Sequence, residues 1–128
     1  MSEGDGQSLS VQLCSSDSLL ESDKGFRFPI NYFGEQATAF VVRYQGKVQA
    51  YVNRCIHVSV ELDWQHGEFF DSTKQFLMCS VHGYLYRPDN GICEHIRLQR
   101  IGLTKLHVFE QDGWVYWTPS DGIRPPLA

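Results

Sequence analysis

Two short segments combine cysteine and histidine in a spacing that could bind a metal. The first is Cys55-Ile56-His57 and the second is Cys79-Ser80-Val81-His82, with 21 residues between them. Cysteine thiolate is a soft donor, and together with neutral imidazole it suits iron, copper or zinc. Four such ligands could close a zinc tetrahedron, or hold a two-iron cluster with both histidines on one iron. A metal site is therefore the leading hypothesis.

The arrangement within each pair bears on the choice of metal. Zinc sites commonly use Cys pairs spaced by about two to four residues and His pairs spaced by about three to five. Here each segment supplies one cysteine and one histidine, which is the less common zinc arrangement. A zinc-stabilised protein-binding module with the same four ligands stays open as the alternative.

Strand patterns precede both segments, over residues 47–53 and 75–78. Loops that leave rigid strands can hold ligands at a fixed separation. Gln45-Gly46 and Asp112-Gly113 predict tight hairpins, because glycine accepts a positive φ. No stretch keeps a helical period over helical length, so we expect a small all-β fold of antiparallel strands. The remaining strand patterns cover residues 11–14, 26–30, 37–44, 85–87, 107–110 and 114–117.

The chain has 128 residues, 42% of them hydrophobic, which suffices for one domain with its own core. We expect a flexible lead over residues 1–8, a single domain over 9–118 and a mobile, proline-containing tail over 119–128. The longest apolar runs have four residues, whereas a membrane span needs about 18. The first ten residues lack the basic start and apolar segment of a secretory signal, so a cytoplasmic location is expected.

Charge and cysteine usage exclude two classes of protein. The formal net charge is −4, with 15 acidic and 11 basic residues, which argues against nucleic-acid binding. Four cysteines in a chain without secretory features do not predict a disulfide framework. Each cysteine must therefore be interpreted from its neighbours.

Cys55-x-His57 with Cys79-x-x-His82-Gly83, on a framework of short strands, resembles the Rieske 2Fe-2S proteins. The similarity covers most of residues 11–117. It implies a Rieske-like antiparallel β-sandwich with a smaller cluster-binding lobe, about residues 53–98, made of the two ligand loops. It also implies one 2Fe-2S cluster per chain, with Cys55 and Cys79 on the inner iron and His57 and His82 on the outer iron. The similarity continues through Tyr86, Pro88, Asn90-Gly91 and Cys93.

The resemblance further implies an electron carrier that is not itself an enzyme and has no small-molecule substrate of its own. Its expected partners are a reductase and a terminal oxygenase or similar enzyme. A Rieske oxygenase also needs a mononuclear iron in a much larger domain, for which 128 residues leave no room. A metal-free subunit that keeps the fold as a scaffold is a third possibility, disfavoured by the presence of all four ligands.

Several positions depart from the Rieske proteins of respiratory bc complexes. Val60 and Val81 stand where those proteins carry two cysteines joined as a disulfide, so no such bridge is expected. Tyr84 stands where they place a serine near a cluster sulfide. Tyr86 matches a tyrosine that donates to a cysteine sulfur in high-potential members. We expect a reduction potential toward the low end of the Rieske range, raised if Tyr86 donates.

The loops also differ in length and in shielding. The interval between the ligand pairs is longer than usual for the family, and the extra residues are expected within 63–70. The Gly-Pro loop that covers many Rieske clusters is replaced by Ile96-Arg97. The shield is therefore absent or rebuilt around residues 96–98.

Cysteines and histidines outside the two pairs have simpler interpretations. Cys14 lies in a strand pattern as a small buried hydrophobe. Cys93 is expected to pack beneath the ligand loops as a reduced thiol, although it could pair with a ligand cysteine in a cluster-free protein. His66 could replace a ligand, but a surface or packing role is its default. His95 and His107 have weaker claims.

Other side chains allow more than one interpretation. Trp64 and Phe69-Phe70 could form a docking surface, whereas aromatic residues more often belong to the core. Residues 114–117 predict a buried strand. Arg54 could steer an acidic partner, although a solvated surface charge is the default.

Histidine ligation predicts a pH-dependent reduction potential. The ring nitrogen that does not bind iron can carry a proton, and the reduced, more negative site favours that proton. We expect the potential to fall with rising pH where these protons titrate, as measured by voltammetry at a series of pH values. A flat potential from neutral to strongly alkaline pH would contradict histidine ligation.

Overall fold

The computed structural model describes residues 10–56, 60–63, 65–81, 83–94 and 101–126. These residues contain nine strands and one short 3-10 helix, Ser16–Ser18. Within the described ranges, no helix is long and apolar enough to cross a membrane. The strands are Val11–Ser15 (β1), Phe26–Tyr32 (β2), Glu35–Tyr44 (β3), Lys47–Val52 (β4), Leu77–Met78 (β5), Leu85–Tyr86 (β6), Lys105–Gln111 (β7), Trp114–Thr118 (β8) and Ile123–Arg124 (β9).

Seven strands form one antiparallel sheet in the order β1-β8-β7-β4-β3-β2-β9, and β5 pairs with β6 separately. The large sheet curls, so that strands that are not neighbours in it pack against each other. The ring centroids of Phe28 on β2 and Trp117 on β8 lie 5.2 Å apart inside the curl. The predicted all-β antiparallel fold with a smaller lobe is confirmed, and its sandwich is one sheet folded over its own core.

Both predicted hairpins have the turn geometry that their sequences require. The φ angles are 52° and 80° at Gln45 and Gly46, and 54° and 85° at Asp112 and Gly113. Two successive positive φ angles define a type I′ turn, whose twist matches that of paired strands. The hairpins β3–β4 and β7–β8 are therefore fixed by local sequence.

The central strand β3 is buried on both faces. Ala39 and Val41 face the core inside the curled sheet, whereas Phe40 and Val42 face a second core under the ligand loops. Alternate residues of a strand point to opposite faces, so a strand covered twice has a continuous apolar sequence. The second core, called the lobe core below, consists of Phe40, Val42, Tyr51, Cys55, Leu62, Phe69, Leu77, Cys79, Tyr86, Cys93 and Leu103.

Residues 91–93 of the lobe pair with residues 101–103, which precede β7 of the main sheet. The Leu103 amide donates to the Gly91 carbonyl over 2.8 Å, and Ile92 forms an antiparallel bridge with Gly102. A Cβ on Gly102 would lie 2.1 Å from the Gly91 carbonyl oxygen. Glycine is required at this position because the two backbones approach too closely for any side chain.

Two details of the C-terminal region correct the sequence predictions. The tail was expected to be mobile, but Ile123 pairs with Tyr32 at the sheet edge, where prolines farther along the tail remove no ladder bond. The segment over residues 114–117 is buried only in part, because its side chains alternate between the faces. Trp117 is buried, whereas Trp114 is 41% exposed.

A polar cluster around Arg43 joins β3 to β7 and to the chain after β1. Its guanidinium donates to the Leu19 carbonyl over 2.8 Å and to the Ser16 carbonyl over 3.1 Å. It also donates to both carboxylate oxygens of Glu110, at 2.6 and 3.2 Å. The hydrogen bond with Arg43 holds the pKa of Glu110 below its ordinary value of 4.5.

We predict that Glu110→Gln lowers the free energy of unfolding by about 1 kcal/mol at pH 7. Because the folded-state pKa of Glu110 is depressed, the stabilisation is present above about pH 5 and is lost as the pH falls through that pKa. Urea unfolding at pH 7 and at acidic pH measures the difference.

The matched control is Glu68→Gln. The Glu68 carboxylate is exposed and lies 3.7 Å from the Lys24 ammonium, so its loss should change stability very little. An effect of Glu110→Gln that is the same at both pH values would contradict the assigned role of the ion pair.

Candidate metal centre

The first ligand loop leaves β4 and carries Cys55. At the end of the strand, the Asn53 amide donates to the Thr38 carbonyl over 2.7 Å, which continues the contact with β3. The Cys55 amide donates to the Val60 carbonyl over 2.9 Å and so closes the loop on itself. Cys55 is only 2% exposed. Its sulfur therefore belongs to the lobe core rather than to the surface.

The second ligand loop connects β5 to β6 and carries Cys79 at its first position. The Cys79 amide donates to the Tyr84 carbonyl over 2.9 Å, and the Gly83 amide donates to the Cys79 carbonyl over 2.8 Å. Gly83 has a φ of 73°, a conformation that favours glycine. Cys79 is fully buried. This tight loop places a second thiol in the lobe core.

A direct hydrogen bond joins the two loops. The Ser80 amide, next to Cys79, donates to the Leu62 carbonyl over 3.1 Å. Leu62 and both cysteines belong to the same buried cluster. The loops are therefore positioned by one another as well as by the strands from which they leave.

Tyr86 on β6 contacts the first cysteine. Its hydroxyl oxygen lies 3.2 Å from the Cys55 sulfur and accepts the Ile56 amide hydrogen over 3.3 Å. Burial raises the pKa of Tyr86 above its ordinary value, so the hydroxyl keeps its proton. Because the amide already uses the hydroxyl as an acceptor, the hydroxyl proton can be donated to the sulfur, which is the hydrogen bond that the family resemblance implies.

A buried polar pair supports the first loop, and sequence reasoning missed it. The Asn53 side-chain amide donates to the Asp63 carboxylate over 3.0 Å. Asp63 also accepts the Gly67 amide hydrogen over 3.0 Å, and its other neighbour is the Arg27 guanidinium, 3.6 Å away. The only sequence indication was an acidic residue at the start of the insertion over residues 63–70.

Of the remaining cysteines, Cys93 is buried as expected, whereas Cys14 is less buried than its strand pattern predicted. Cys93 is fully buried and pairs with Tyr86 across a β-bridge, beneath the ligand loops. Cys14 is half-buried on β1, and burial raises the pKa of its thiol. All four cysteines are described by the structure, and none forms a disulfide.

Among the weaker candidates, His66 is exposed and lines a shallow cavity beside Pro29 of β2. His107 is exposed on β7. Phe69 is buried and stacks on Phe40 with 3.9 Å between ring centroids, so it belongs to the core rather than to a docking surface. The predicted ligands and other candidates that lie outside the described residues are His57, His82, Trp64, His95, Ile96 and Arg97.

Arg54, next to the first ligand cysteine, has partners of its own. Its guanidinium lies 3.6 Å from the Glu35 carboxylate and 5.1 Å from the centroid of the Tyr32 ring. The side chain therefore packs against the β2–β3 hairpin instead of extending freely into solvent.

The donor chemistry of the two cysteines fits an iron–sulfur centre. A thiolate buried in an apolar core is unfavourable without a compensating positive charge, which a bound metal supplies. Cys55 and Cys79 meet this condition, because both thiols are buried in one core on separate loops. These residues could hold the iron that lies deeper in the protein.

Comparisons with known proteins agree with this geometry. The ferredoxin of carbazole 1,9a-dioxygenase from Nocardioides aromaticivorans has a TM-score of 0.66 at 19% identity, over 87% of this chain and 98% of that chain. A fluorene-bound oxygenase and ferredoxin complex of carbazole 1,9a-dioxygenase has a TM-score of 0.70 at 23% identity, over 92% of this chain. The terminal oxygenase from a Novosphingobium species has a TM-score of 0.64 at 24% identity, over 85% of this chain.

These similarities establish the fold. This chain spans 30% of the matched chain in the oxygenase and ferredoxin complex and 29% of the Novosphingobium oxygenase. No curated protein matches the sequence. A family model for the Rieske 2Fe-2S domain matches residues 10–118, which is most of the chain. The chain therefore belongs to the Rieske 2Fe-2S domain family.

Proposed function

We propose that this protein is an electron carrier that holds one histidine-ligated 2Fe-2S cluster and has no catalytic activity of its own. In this proposal Cys55 and Cys79 bind the inner iron, and His57 and His82 bind the outer iron. The observation that carries the proposal is the burial of both cysteines in one core on two hydrogen-bonded loops, in a chain of the Rieske family.

The bound cluster supplies one-electron chemistry, at a potential raised by its neutral imidazole ligands. The protein contributes three things. The lobe core excludes water from the cysteine sulfurs, because Cys55 and Cys79 are at most 2% exposed. The loop hydrogen bonds fix the positions of the two thiols. Tyr86 donates a hydrogen bond toward a sulfur whose negative charge grows on reduction.

Its partners are proposed to be a reductase, which delivers the electron, and a terminal oxygenase or similar enzyme, which accepts it. The support is the fold shared with a dioxygenase ferredoxin over nearly the whole of that chain. Another similar structure is described as a complex of an oxygenase with a ferredoxin. A role between these two classes of enzyme requires no substrate pocket in this chain.

The zinc-stabilised module is the less favoured function. Each loop pairs one cysteine with one histidine, and zinc sites more often pair like ligands. The family to which the chain belongs is defined by a 2Fe-2S domain. A tyrosine hydroxyl directed at a ligand sulfur also suits a centre whose charge changes in use.

Replacing one ligand tests the assignment. We predict that Cys79→Ser, purified anaerobically, loses the visible absorption and most of its iron and acid-labile sulfide, because an alcohol is a poor ligand for the inner iron. Cys93→Ser is the matched control, since Cys93 is equally buried in the same core. It should keep the cluster in its folded fraction. Full iron and sulfide content in Cys79→Ser would contradict the ligand set.

Removing one hydroxyl tests the role of Tyr86. We predict that Tyr86→Phe lowers the reduction potential by about 40 mV, which corresponds to one hydrogen bond of about 1 kcal/mol for a one-electron couple. Voltammetry of the purified variant measures the shift.

Tyr116→Phe is the control for this measurement, because Tyr116 stacks on Phe109 on β7–β8 and contacts neither cysteine loop in the described part of the chain. Its potential should match that of the wild-type protein. An unchanged potential in Tyr86→Phe would show that the hydroxyl does not donate to the sulfur.

A further inference from the structure

The Asn53 side chain closes the first ligand loop at its base. Its carbonyl oxygen accepts the Leu62 amide hydrogen over 2.8 Å, and its amide nitrogen donates to the Asp63 carboxylate over 3.0 Å. Asn53 is 3% exposed. One buried side chain therefore joins the end of β4 to the far end of the loop that contains Cys55.

Asp63 continues the same set of contacts. One carboxylate oxygen accepts from Asn53, and the other accepts the Gly67 amide hydrogen over 3.0 Å. The carboxylate is completely buried, and the Arg27 guanidinium on β2 lies 3.6 Å away as its counter-charge. Arg27 itself donates to the exposed Glu61 over 2.8 Å. The pair is thus anchored to the main sheet from two strands.

The backbone amide and carbonyl of Leu62 connect these contacts to the second loop. Its amide is held by Asn53, and its carbonyl accepts the Ser80 amide hydrogen over 3.1 Å. Ser80 follows Cys79 directly in the chain. A continuous path of hydrogen bonds therefore runs from the end of β4, two residues before Cys55, to the residue after Cys79.

We propose that Asn53 and Asp63 are positioning residues of the metal centre, which fix the separation of the two ligand loops through the backbone of Leu62. This inference rests on the proposed cluster function. Neither side chain contacts a ligand sulfur in the described residues, so the pair acts through the backbone of the loops. Groups of this kind typically change metal affinity by about 10- to 100-fold when they are removed.

Asn53 and Asp63 have complementary donor and acceptor groups, so exchanging the two residues tests their role directly. Asn53 must supply one acceptor and one donor, whereas Asp63 supplies two acceptors. Asn53→Asp loses the donor and places two carboxylates face to face. In Asp63→Asn, an NH2 group replaces one acceptor oxygen. It then faces an N–H donor, that of Asn53 or that of Gly67, with which it cannot form a hydrogen bond. The double variant Asn53→Asp/Asp63→Asn restores a donor between the two residues and an acceptor for each backbone amide.

The experiment measures cluster loss and electronic structure in anaerobically purified proteins. The half-life of the visible absorption is followed in the presence of an iron chelator, and the paramagnetic resonance spectrum of the reduced protein is recorded. Circular dichroism establishes that each variant is folded under these conditions. The matched control is Asn31→Asp, because the Asn31 side chain accepts the Gly34 amide hydrogen over 2.9 Å in an exposed turn, where a carboxylate serves equally well.

We expect each single variant to lose the cluster about tenfold faster than the wild-type protein and to show broadened resonance lines. The double variant should recover most of the lost half-life and the narrow lines, and Asn31→Asp should match the wild type. Recovery in the double variant would show that the broken pair, and not either substitution by itself, causes the loss, and the line shape of the folded protein separates positioning from general stability. If Asn53→Asp does not fold, Asp63→Asn and the double variant still give the comparison.

Two other results would overturn the inference, and they are distinguishable. Folded single variants with wild-type half-lives and line shapes, or a double variant no better than the singles, would refute the positioning role alone. A wild-type protein that binds no iron and sulfide would refute the proposed function, and the positioning role with it.

Discussion

The backbone of Leu62 carries the two hydrogen bonds on which the proposed arrangement of the two cysteine loops depends. Ligand loops lack the ladder of hydrogen bonds that satisfies a strand, so their buried amides and carbonyls need other partners. Asn53 accepts the Leu62 amide hydrogen, and Ser80 donates to its carbonyl. The backbone on both sides of the Leu62 Cα is therefore held, on one side by the end of β4 and on the other by the second loop. In the proposed centre, these two contacts fix the separation of the two cysteine loops.

The double burial of β3 and β4 makes such a centre possible in a small protein. One face of β3 contributes to the core inside the curled sheet, and the other face supplies Phe40 and Val42 to the lobe core. One face of the main sheet therefore forms part of the lobe core. In the described residues the lobe adds only the two-stranded β5–β6 sheet. The close approach of the backbone at residues 91 and 92 explains why Gly102 cannot carry a side chain.

The main sheet and the lobe make different contributions to the protein. The curled sheet encloses its own core, and polar contacts such as that of Arg43 with Glu110 join β3 to β7. The lobe contributes the thiols of Cys55 and Cys79 and the hydrogen bond between the Tyr86 hydroxyl and the Cys55 sulfur. A sheet that folds around its own core leaves the loops free to satisfy the geometry of a metal centre.

Sequence predicted those features that depend on local chemistry. The hairpin turns at Gln45-Gly46 and Asp112-Gly113 were found because positive φ angles demand particular residues. The cysteines and Tyr86 were found because their spacing matches a family. The contacts of Asn53 with Asp63 could not be found, since they join positions without periodicity and depend on which polar groups the fold buries. The two-residue strand β9 was missed because it is defined by its neighbour β2, not by its own pattern.

The most direct test of the account is the low-temperature paramagnetic resonance spectrum of the anaerobically purified wild-type protein, before and after reduction with dithionite. We expect a red-brown protein that gives no signal when oxidised and that, once reduced, gives a signal with the low average g value typical of histidine-ligated 2Fe-2S clusters. A colourless protein that contains one zinc ion per chain and gives no signal after reduction would contradict it.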